Sequence, residues 1–263
     1  MIDVHPPRNA VNSWREFFVH IATIVVGLLI AIGLEQCVEL LHQHHEARHT
    51  QEALRLEREG NRNRILKETW FWRRNTAALQ NNLLVLRYIQ QHPGTPQDKL
   101  PGVLFWSIST MVFSHSVWDS AQQTGEVKLL PHEEVGEDAF LYLELQRIET
   151  ADSAVWLAVN QAEQYNLVDP DPTHLTPPQL AEVIDRTEKA LTQQLLAGEA
   201  LANLNGFTDL PQTVTRDEIL SLRGLTNQQA TGPLSAAYAL THDRLVAANP
   251  SQPDLPSTPS SKK

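Results

Sequence analysis

The sequence predicts an all-α protein, in which a single N-terminal transmembrane helix continues into a long stem helix and an antiparallel helical bundle packs on that stem. Three observations favour this class. Residues 17–34 form a run of eighteen residues with no formal charge. Apolar residues then recur at intervals of three and four along the chain, which is the helical period. Aromatic residues make up only 6% of the chain, so we expect few strands.

These patterns divide the chain into five segments. We predict an N-terminal tail over residues 1–13, the transmembrane helix over 14–41, a juxtamembrane stem helix over 42–92, a helical domain packing on the stem over 93–248 and a disordered tail over 249–263. The last segment is rich in Ser and Pro, a composition that cannot bury enough apolar surface to fold.

The charge-free run has the length and composition of a membrane span. At about 1.5 Å per residue its helix covers about 27 Å, close to the hydrocarbon thickness of about 30 Å. Twelve of the eighteen residues are Leu, Ile, Val or Phe, and together they favour insertion by about 4 to 7 kcal/mol. No signal-peptide cleavage site follows. The lipid bilayer is therefore the first expected partner, and the residues that mark the span are Phe17, Ile24, Gly27, Ala31 and Leu34.

Positive charges near the span predict its orientation. Arg8 and Arg15 precede it, whereas the first twenty residues beyond it offer only Arg48. The positive-inside rule then favours a cytoplasmic N-terminus and a C-terminal domain outside the cytoplasm, in a single-pass protein. The basic stretch over 55–74 lies just beyond the counting window and favours the opposite orientation. Gly27 and Ala31 form a small-x-x-x-small pair, which could let two such helices approach closely in a homodimer, although such pairs are also common by chance.

The His/Glu cluster that follows the span is the main candidate for chemistry. His45-Glu46-Ala47-Arg48-His49 matches the H-E-x-x-H zinc pattern, with Glu68 as a conceivable third ligand. The segment is polar all round, which argues against the floor of an active site, so a zinc-dependent hydrolase is the last of the alternatives. A parallel dimer could instead bind zinc or another transition metal, or titrate between about pH 5 and 8. The remaining interpretation is that these polar residues form only a hydrated collar at the membrane–water interface. The candidate ligands are His42, His45, Glu46 and His49.

Beyond the stem, helix signals recur. Residues 103–113 are strongly apolar but too short to span a bilayer, and we predict a buried core helix there. A short helix is predicted over 116–124, ended by Gly125. Two longer helices are predicted, one from Pro131 to about Tyr165 and one from the Thr176 cap to about Asn205. A short helix from Thr215 to about Arg223 and a weakly indicated one that ends at about Ala248 complete the prediction.

The segment from Trp118 and Asp119 to Gly125 also carries a resemblance. Together with Trp14-Arg15-Glu16-Phe17 and the apolar run that leads into histidines, it resembles a family of uncharacterised bacterial single-pass membrane proteins with a Trp-x6-Gly segment. The resemblance covers about residues 5–150. It implies helical architecture and a membrane location, which for a bacterial protein of this kind we expect to be the inner membrane. It supplies no activity, cofactor or catalytic residue. We treat Trp118, Asp119 and Gly125 as a possible interaction segment.

The charge distribution constrains function. The net charge of −10 divides into −2 over residues 1–41, +4 over residues 42–92 and −12 over residues 93–263. The basic stem therefore either packs on acidic helices or presents a solvated basic face. An acidic protein is a poor binder of nucleic acid. We find no phosphate loop and no Gly-x-Ser-x-Gly, and the lone Cys37 excludes an intrachain disulfide. The leading hypothesis is a non-enzymatic scaffold or sensor that binds an unknown protein or small molecule.

Overall fold

The computed structural model describes residues 14–220, and within that range it contains α-helices, short 3-10 turns and extended connections but no strand. The all-α prediction is confirmed for this part of the chain. The predicted tails over 1–13 and 249–263, the helix up to about Ala248 and the end of the helix after Thr215 lie outside the described residues. The α-helices are α1 (Trp14–Gln91), α2 (Ser116–Thr124), α3 (His132–Val168) and α4 (Pro177–Asn203).

Helix α1 is one unbroken helix of 78 residues, about 117 Å long at the standard rise. It passes through Gly60 and Asn61 without a break. Its N-terminal part contains one segment that is long and apolar enough to cross a membrane, with a mean hydropathy of 2.6 and none of it buried. A core helix of a soluble protein would bury such a segment. The first buried residue of α1 is Thr50, and one face stays buried from there to Ile89.

Helices α3 and α4 form an antiparallel hairpin. Tyr165 near the end of α3 donates to Glu182 near the start of α4 at 2.6 Å, while Asn203 at the end of α4 donates to Glu144 at 3.2 Å. The hairpin turns at Thr176, whose backbone N–H donates to the side chain of Gln179 at 2.9 Å. That capping box and the Pro at the first helical position are the signals from which this helix start was predicted.

Helix α1 packs on both members of the hairpin. The indole Nε1 of Trp72 donates to the carbonyl of Gln194 in α4 at 2.5 Å, and Arg87 bonds to Glu188 at 2.7 Å, so α4 runs antiparallel to α1. Tyr142 of α3 donates to Glu57 at 2.7 Å. Glu68 interacts with Asp152 of α3. Both residues come later in their helices than Glu57 and Tyr142, so α1 and α3 run parallel.

The prediction of a core helix over residues 103–113 is wrong. Residues 103–115, which we call the strap, contain neither helix nor strand in the structure. Phe105 and Ser114 bond to residues of α1 that are 21 positions apart, about 31 Å along the helix, so the nine-residue path between them is extended. Side chains alternate along its first part, with Trp106 buried and Phe105 52% exposed, as in a strand with one face on a core. The strap lies along α1 in the opposite direction, from Asn82 back to Asn61. Its polar backbone atoms bond to side chains of α1 and α3, which removes the need for a helix.

Candidate functional site

The strap is held by a row of buried polar residues on α1, which we call the asparagine ladder. It consists of Asn61, Asn75 and Asn82. Glu68 occupies the position between Asn61 and Asn75 that completes a spacing of seven residues. These residues are spaced by seven or fourteen positions, which is close to two or four helical turns, so they share one face of α1. Each is no more than 1% exposed. Buried amides of this kind are costly unless every polar atom is bonded.

Each asparagine of the ladder bonds to both backbone groups of one strap residue. Asn82 accepts from the N–H of Phe105 at 2.8 Å and donates to its carbonyl at 2.7 Å. Asn61 makes the same pair with Ser114, both at 2.8 Å. Asn75 does so with Ser109, at 3.4 Å and 2.7 Å. The side-chain amides therefore take the place that the backbone of a neighbouring strand would have in a sheet.

Glu68 interrupts the ladder with a carboxyl group. Its Oε2 accepts from the N–H of Met111 at 2.8 Å, and the group interacts with Asp152 of α3. Burial, followed by the charge of Asp152, raises the pKa of Glu68 well above its usual range. Burial also raises the pKa of Asp152, to about 7, and the charge of Glu149 adds to this effect. Glu68 Oε1 and both carboxyl oxygens of Asp152 have no donor among the described residues.

Glu57 performs a different task at the end of the strap. It accepts hydrogen bonds from the N–H groups of Val117 and Trp118 at 3.0 and 3.3 Å and from the Tyr142 hydroxyl at 2.7 Å. Ser114 and Ser116 donate their hydroxyls as well. Burial raises the pKa of this carboxyl, but the hydrogen bonds outweigh burial and hold the pKa below its usual value. Glu57 therefore caps the N-terminus of α2 from a different helix.

The predicted interaction segment lies on this cap. Trp118 is only 5% exposed, and its ring stacks on Tyr142 with centroids 5.2 Å apart. Asp119 is exposed, and Gly125 has a φ of 83°, the left-handed conformation that ends α2 and that suits glycine. Beside the stacked rings lies an open cavity of about 410 Å³. Asp119 and the cavity rim are therefore at the surface, whereas Trp118 packs inside the domain.

The candidate metal ligands lie on α1 between the apolar segment and the domain. His42, His45, Glu46 and His49 follow the spacing of one helix face, and His42 Nε2 lies 2.9 Å from Glu46 Oε1. In residues 14–220 of a single chain, no three His, Cys, Asp or Glu side chains are grouped so as to hold a metal ion. Glu68 lies nineteen residues after His49, about 28 Å along the helix. It is in contact with the strap and cannot complete a zinc site with His49.

The predicted membrane-spanning residues are all solvent-facing in the isolated chain. Phe17, Ile24, Ala31 and Leu34 are exposed, and a Cβ added at Gly27 would meet no atom within 4 Å. The surface around Gly27 is therefore open to lipid or to a second helix.

The predicted packing of the basic stem on acidic helices is seen at some positions. Arg73 bonds to Glu218 at 2.7 Å, and Arg58, which the sequence did not single out, lies 2.5 Å from Asp138 of α3. Arg74 instead lies over the ring of Trp70.

Comparison with known proteins adds no relative. No family model matches the chain, and neither a curated protein nor a solved structure matches it. The argument for function therefore comes from the geometry of α1, the strap and the residues between them.

Proposed function

We propose that this chain is a membrane-anchored, non-enzymatic scaffold or sensor, in which α1 crosses the bilayer once and carries an antiparallel helical bundle as its interaction module. The observation that supports it is the continuity of α1. The exposed apolar segment and the buried face over 50–89 belong to one helix without a break. A chain that needed only a tether could use a flexible linker, whereas an unbroken helix fixes the distance and direction of the domain.

The distance follows from helix geometry. Sixteen residues separate Leu34, at the end of the apolar run, from Thr50, the first buried residue of α1. At about 1.5 Å per residue the domain begins about 24 Å beyond the hydrocarbon. At its membrane-proximal end Thr50 donates to Glu126 at 2.6 Å and Gln51 donates to Glu134 at 2.8 Å. A rotation or shift of the bundle would therefore be passed directly to the membrane helix.

The polar residues of the interior also support a binding role over catalysis. Glu57 and the asparagine ladder are engaged with the backbone of the strap and of α2, where they fix a conformation. The exposed parts of the predicted interaction segment, Asp119 and the adjacent cavity, are then the surface offered to an unknown protein or small molecule.

Membrane fractionation with charge substitutions tests the anchor. The wild-type chain should stay in the membrane pellet after alkaline carbonate extraction. Replacing Ile24 and Leu28 together by Arg should release it, because each charge at the centre of a span costs about 2.5 to 3.5 kcal/mol. Leu56→Arg, at a residue of α1 that is 55% exposed outside the apolar run, is the matched control and should remain in the pellet. Wild-type chain in the carbonate supernatant would contradict the proposal.

Orientation is tested with the lone cysteine removed. In a Cys37→Ser background we introduce Cys at Glu133, which is exposed at the start of α3. A cytoplasmic N-terminus predicts labelling by a membrane-impermeant maleimide in whole bacterial cells. Labelling only after lysis would place the domain in the cytoplasm.

A second candidate function is a metal- or pH-responsive module in a homodimer. Ala31 and His45 are fourteen residues apart, about four turns of helix, so a dimer through Gly27 and Ala31 would bring the two His45 side chains close together. Zinc retained by the purified dimer and lost in a His45→Ala, His49→Ala variant would support this function. His132→Ala, at an exposed residue of α3, is the control and should retain the metal.

A zinc-dependent hydrolase at His45, Glu46 and His49 is the last candidate. Both histidines are exposed on α1, and Glu68, the acid that would complete the site, is too far along the helix to reach them. A peptidase activity that survives Glu46→Gln would eliminate it, because that glutamate would have to activate the water.

A further inference from the structure

The ladder position of Glu68 requires a group that can both donate and accept. Each asparagine of the ladder supplies one donor and one acceptor to the strap. An ionised carboxylate only accepts, whereas a protonated one also has an O–H donor. Glu68 already accepts from Met111 N–H through Oε2. Its Oε1 is buried and, like both oxygens of the neighbouring Asp152, lacks a donor among the described residues. One proton shared between the two carboxyl groups would provide the hydrogen bond that each group lacks, joining two of these three oxygens.

Among the described residues, no positive charge is paired with Glu68 or Asp152. Arg64, one turn before Glu68 on α1, donates instead to the side-chain oxygen of Asn61 at 3.0 Å. Arg58, Arg73 and Arg87 of α1 form their ion pairs with other acids. On α3 the nearest further charge is that of Glu149, which acts against ionisation of Asp152. Glu149 in turn accepts from the N–H of Phe113 in the strap at 2.7 Å and lies 3.1 Å from His115.

The third neighbouring helix is equally neutral towards the pair. The buried residues of α4 are all uncharged: Leu180, Val183, Ile184, Thr187, Ala190, Leu191, Gln194, Ala197, Gly198, Ala200 and Leu201. Two carboxylates cannot both ionise in such a place without water or a counter-ion.

We infer that Glu68 and Asp152 hold a single proton between them, and that loss of this proton loosens the strap from α1, so that the domain senses pH through its core. This inference does not depend on the membrane anchor. With the proton in place, Glu68 donates to Asp152 and accepts from Met111. Without it two negative charges meet in a dry site, and the structure relieves them by admitting water. The strap, of which Met111 is partly exposed, is the layer that separates Glu68 from solvent.

Burial raises the pKa of both acids, and that of Asp152 to about 7. The His/Glu cluster on the exposed part of α1 takes no part in the loss of the proton. The same ladder that fixes the strap would therefore report the proton concentration, because Glu68 shares its register with the three asparagines.

Hydrogen exchange of the full chain in detergent micelles tests the inference. Exchange of the strap amides is measured by mass spectrometry from about pH 5 to about pH 9 and corrected for the intrinsic rate. If opening releases one proton, protection falls about tenfold per pH unit up to about pH 7 and then levels off. Glu68→Gln keeps the acceptor for Met111 and gains a permanent donor, so its protection should stay at the acidic value throughout. Asp152→Asn is the second variant, and Glu133→Gln, at an exposed acid, is the control that should keep the wild-type profile.

A flat profile in the wild-type chain would overturn the inference. A slope that persists in both Glu68→Gln and Asp152→Asn would also overturn it, since the slope would then come from groups outside this pair. Restoration of protection at about pH 9 by millimolar calcium or magnesium alone would show a cation site instead of a proton site. If a variant fails to fold, the infrared carbonyl band of a buried protonated acid decides: it should be present in the wild-type chain at about pH 5, and its absence would refute the shared proton.

Discussion

Adding one methyl group at Gly198 should separate α4 from α1. A Cβ at this position would lie 2.5 Å from Cζ2 and 2.7 Å from Nε1 of Trp72. Ordinary carbon contacts are about 3.5 to 4.0 Å, so the overlap is about 1 Å. Trp72 is 1% exposed and its Nε1 is bonded to the carbonyl of Gln194, so the ring cannot move away without breaking that bond.

The magnitude follows from three terms. Overpacking of a core costs about 1 to 3 kcal/mol. A displaced indole leaves a buried donor and acceptor unpaired, which costs about 1 to 3 kcal/mol more. Alanine regains about 1 kcal/mol over glycine through its helix propensity. We therefore expect Gly198→Ala to lower the free energy of unfolding by about 3 kcal/mol.

Urea unfolding followed by circular dichroism in detergent measures this change. Gly136→Ala in α3 is the matched control, because a Cβ there meets nothing within 4 Å, and it should raise the free energy of unfolding by up to about 1 kcal/mol. The same substitution thus has opposite signs at two helical positions. Equal effects at Gly198 and Gly136 would refute the packing of Trp72 on α4.

Three further changes test the strap and its acids. Asn82→Leu leaves both backbone groups of Phe105 unpaired, which costs about 1 to 3 kcal/mol and should speed proteolysis of the strap, whereas Asn160→Leu, at an exposed residue of α3, should leave the rate unchanged. The lowered pKa of Glu57 means that its contribution to stability is complete above about pH 4.5 and is lost as pH falls through the folded-state value. Glu57→Gln should therefore flatten the acid side of the stability profile. Glu68→Gln should flatten the alkaline side of the stability profile. The raised pKa of Glu68 makes the free energy of unfolding fall as pH rises from about 4 to the pKa of Glu68 in the folded state. A pH series of urea midpoints measures both, and an unchanged profile in either variant contradicts the assignment.

Much of the helical architecture could be predicted because its signals are local. The capping box at Thr176, the proline before His132 and the glycine after Thr124 each act within one helical turn, and all three helix boundaries are confirmed. The unbroken α1 follows in the same way from a chain with no proline between Trp14 and Gln91.

The strap could not be predicted because its partners lie far away in sequence. Residues 103–113 are as apolar as a core helix, and the groups that hold them extended lie 22 to 53 residues away. One signal was present in retrospect: polar residues at 61, 68, 75 and 82 repeat every seven positions on a stem whose other faces are mixed. Its meaning depends on burial, which the sequence does not show, because exposed asparagines are equally compatible with that spacing. The pairing of Glu68 with Asp152 depends on the same unseen contact between α1 and α3.

Spin-label accessibility along α1 tests the central claim, that one helix both crosses the bilayer and enters the domain. In a Cys37→Ser background, single labels between positions 14 and 50 of the chain in lipid vesicles are compared for access to oxygen and to a water-soluble nickel complex. We expect oxygen access to be highest near Ile24, to fall towards position 37, and to give way to nickel access by Gln43, with helical order at every site. A label at Ile24 that is freely accessible to nickel would contradict the account.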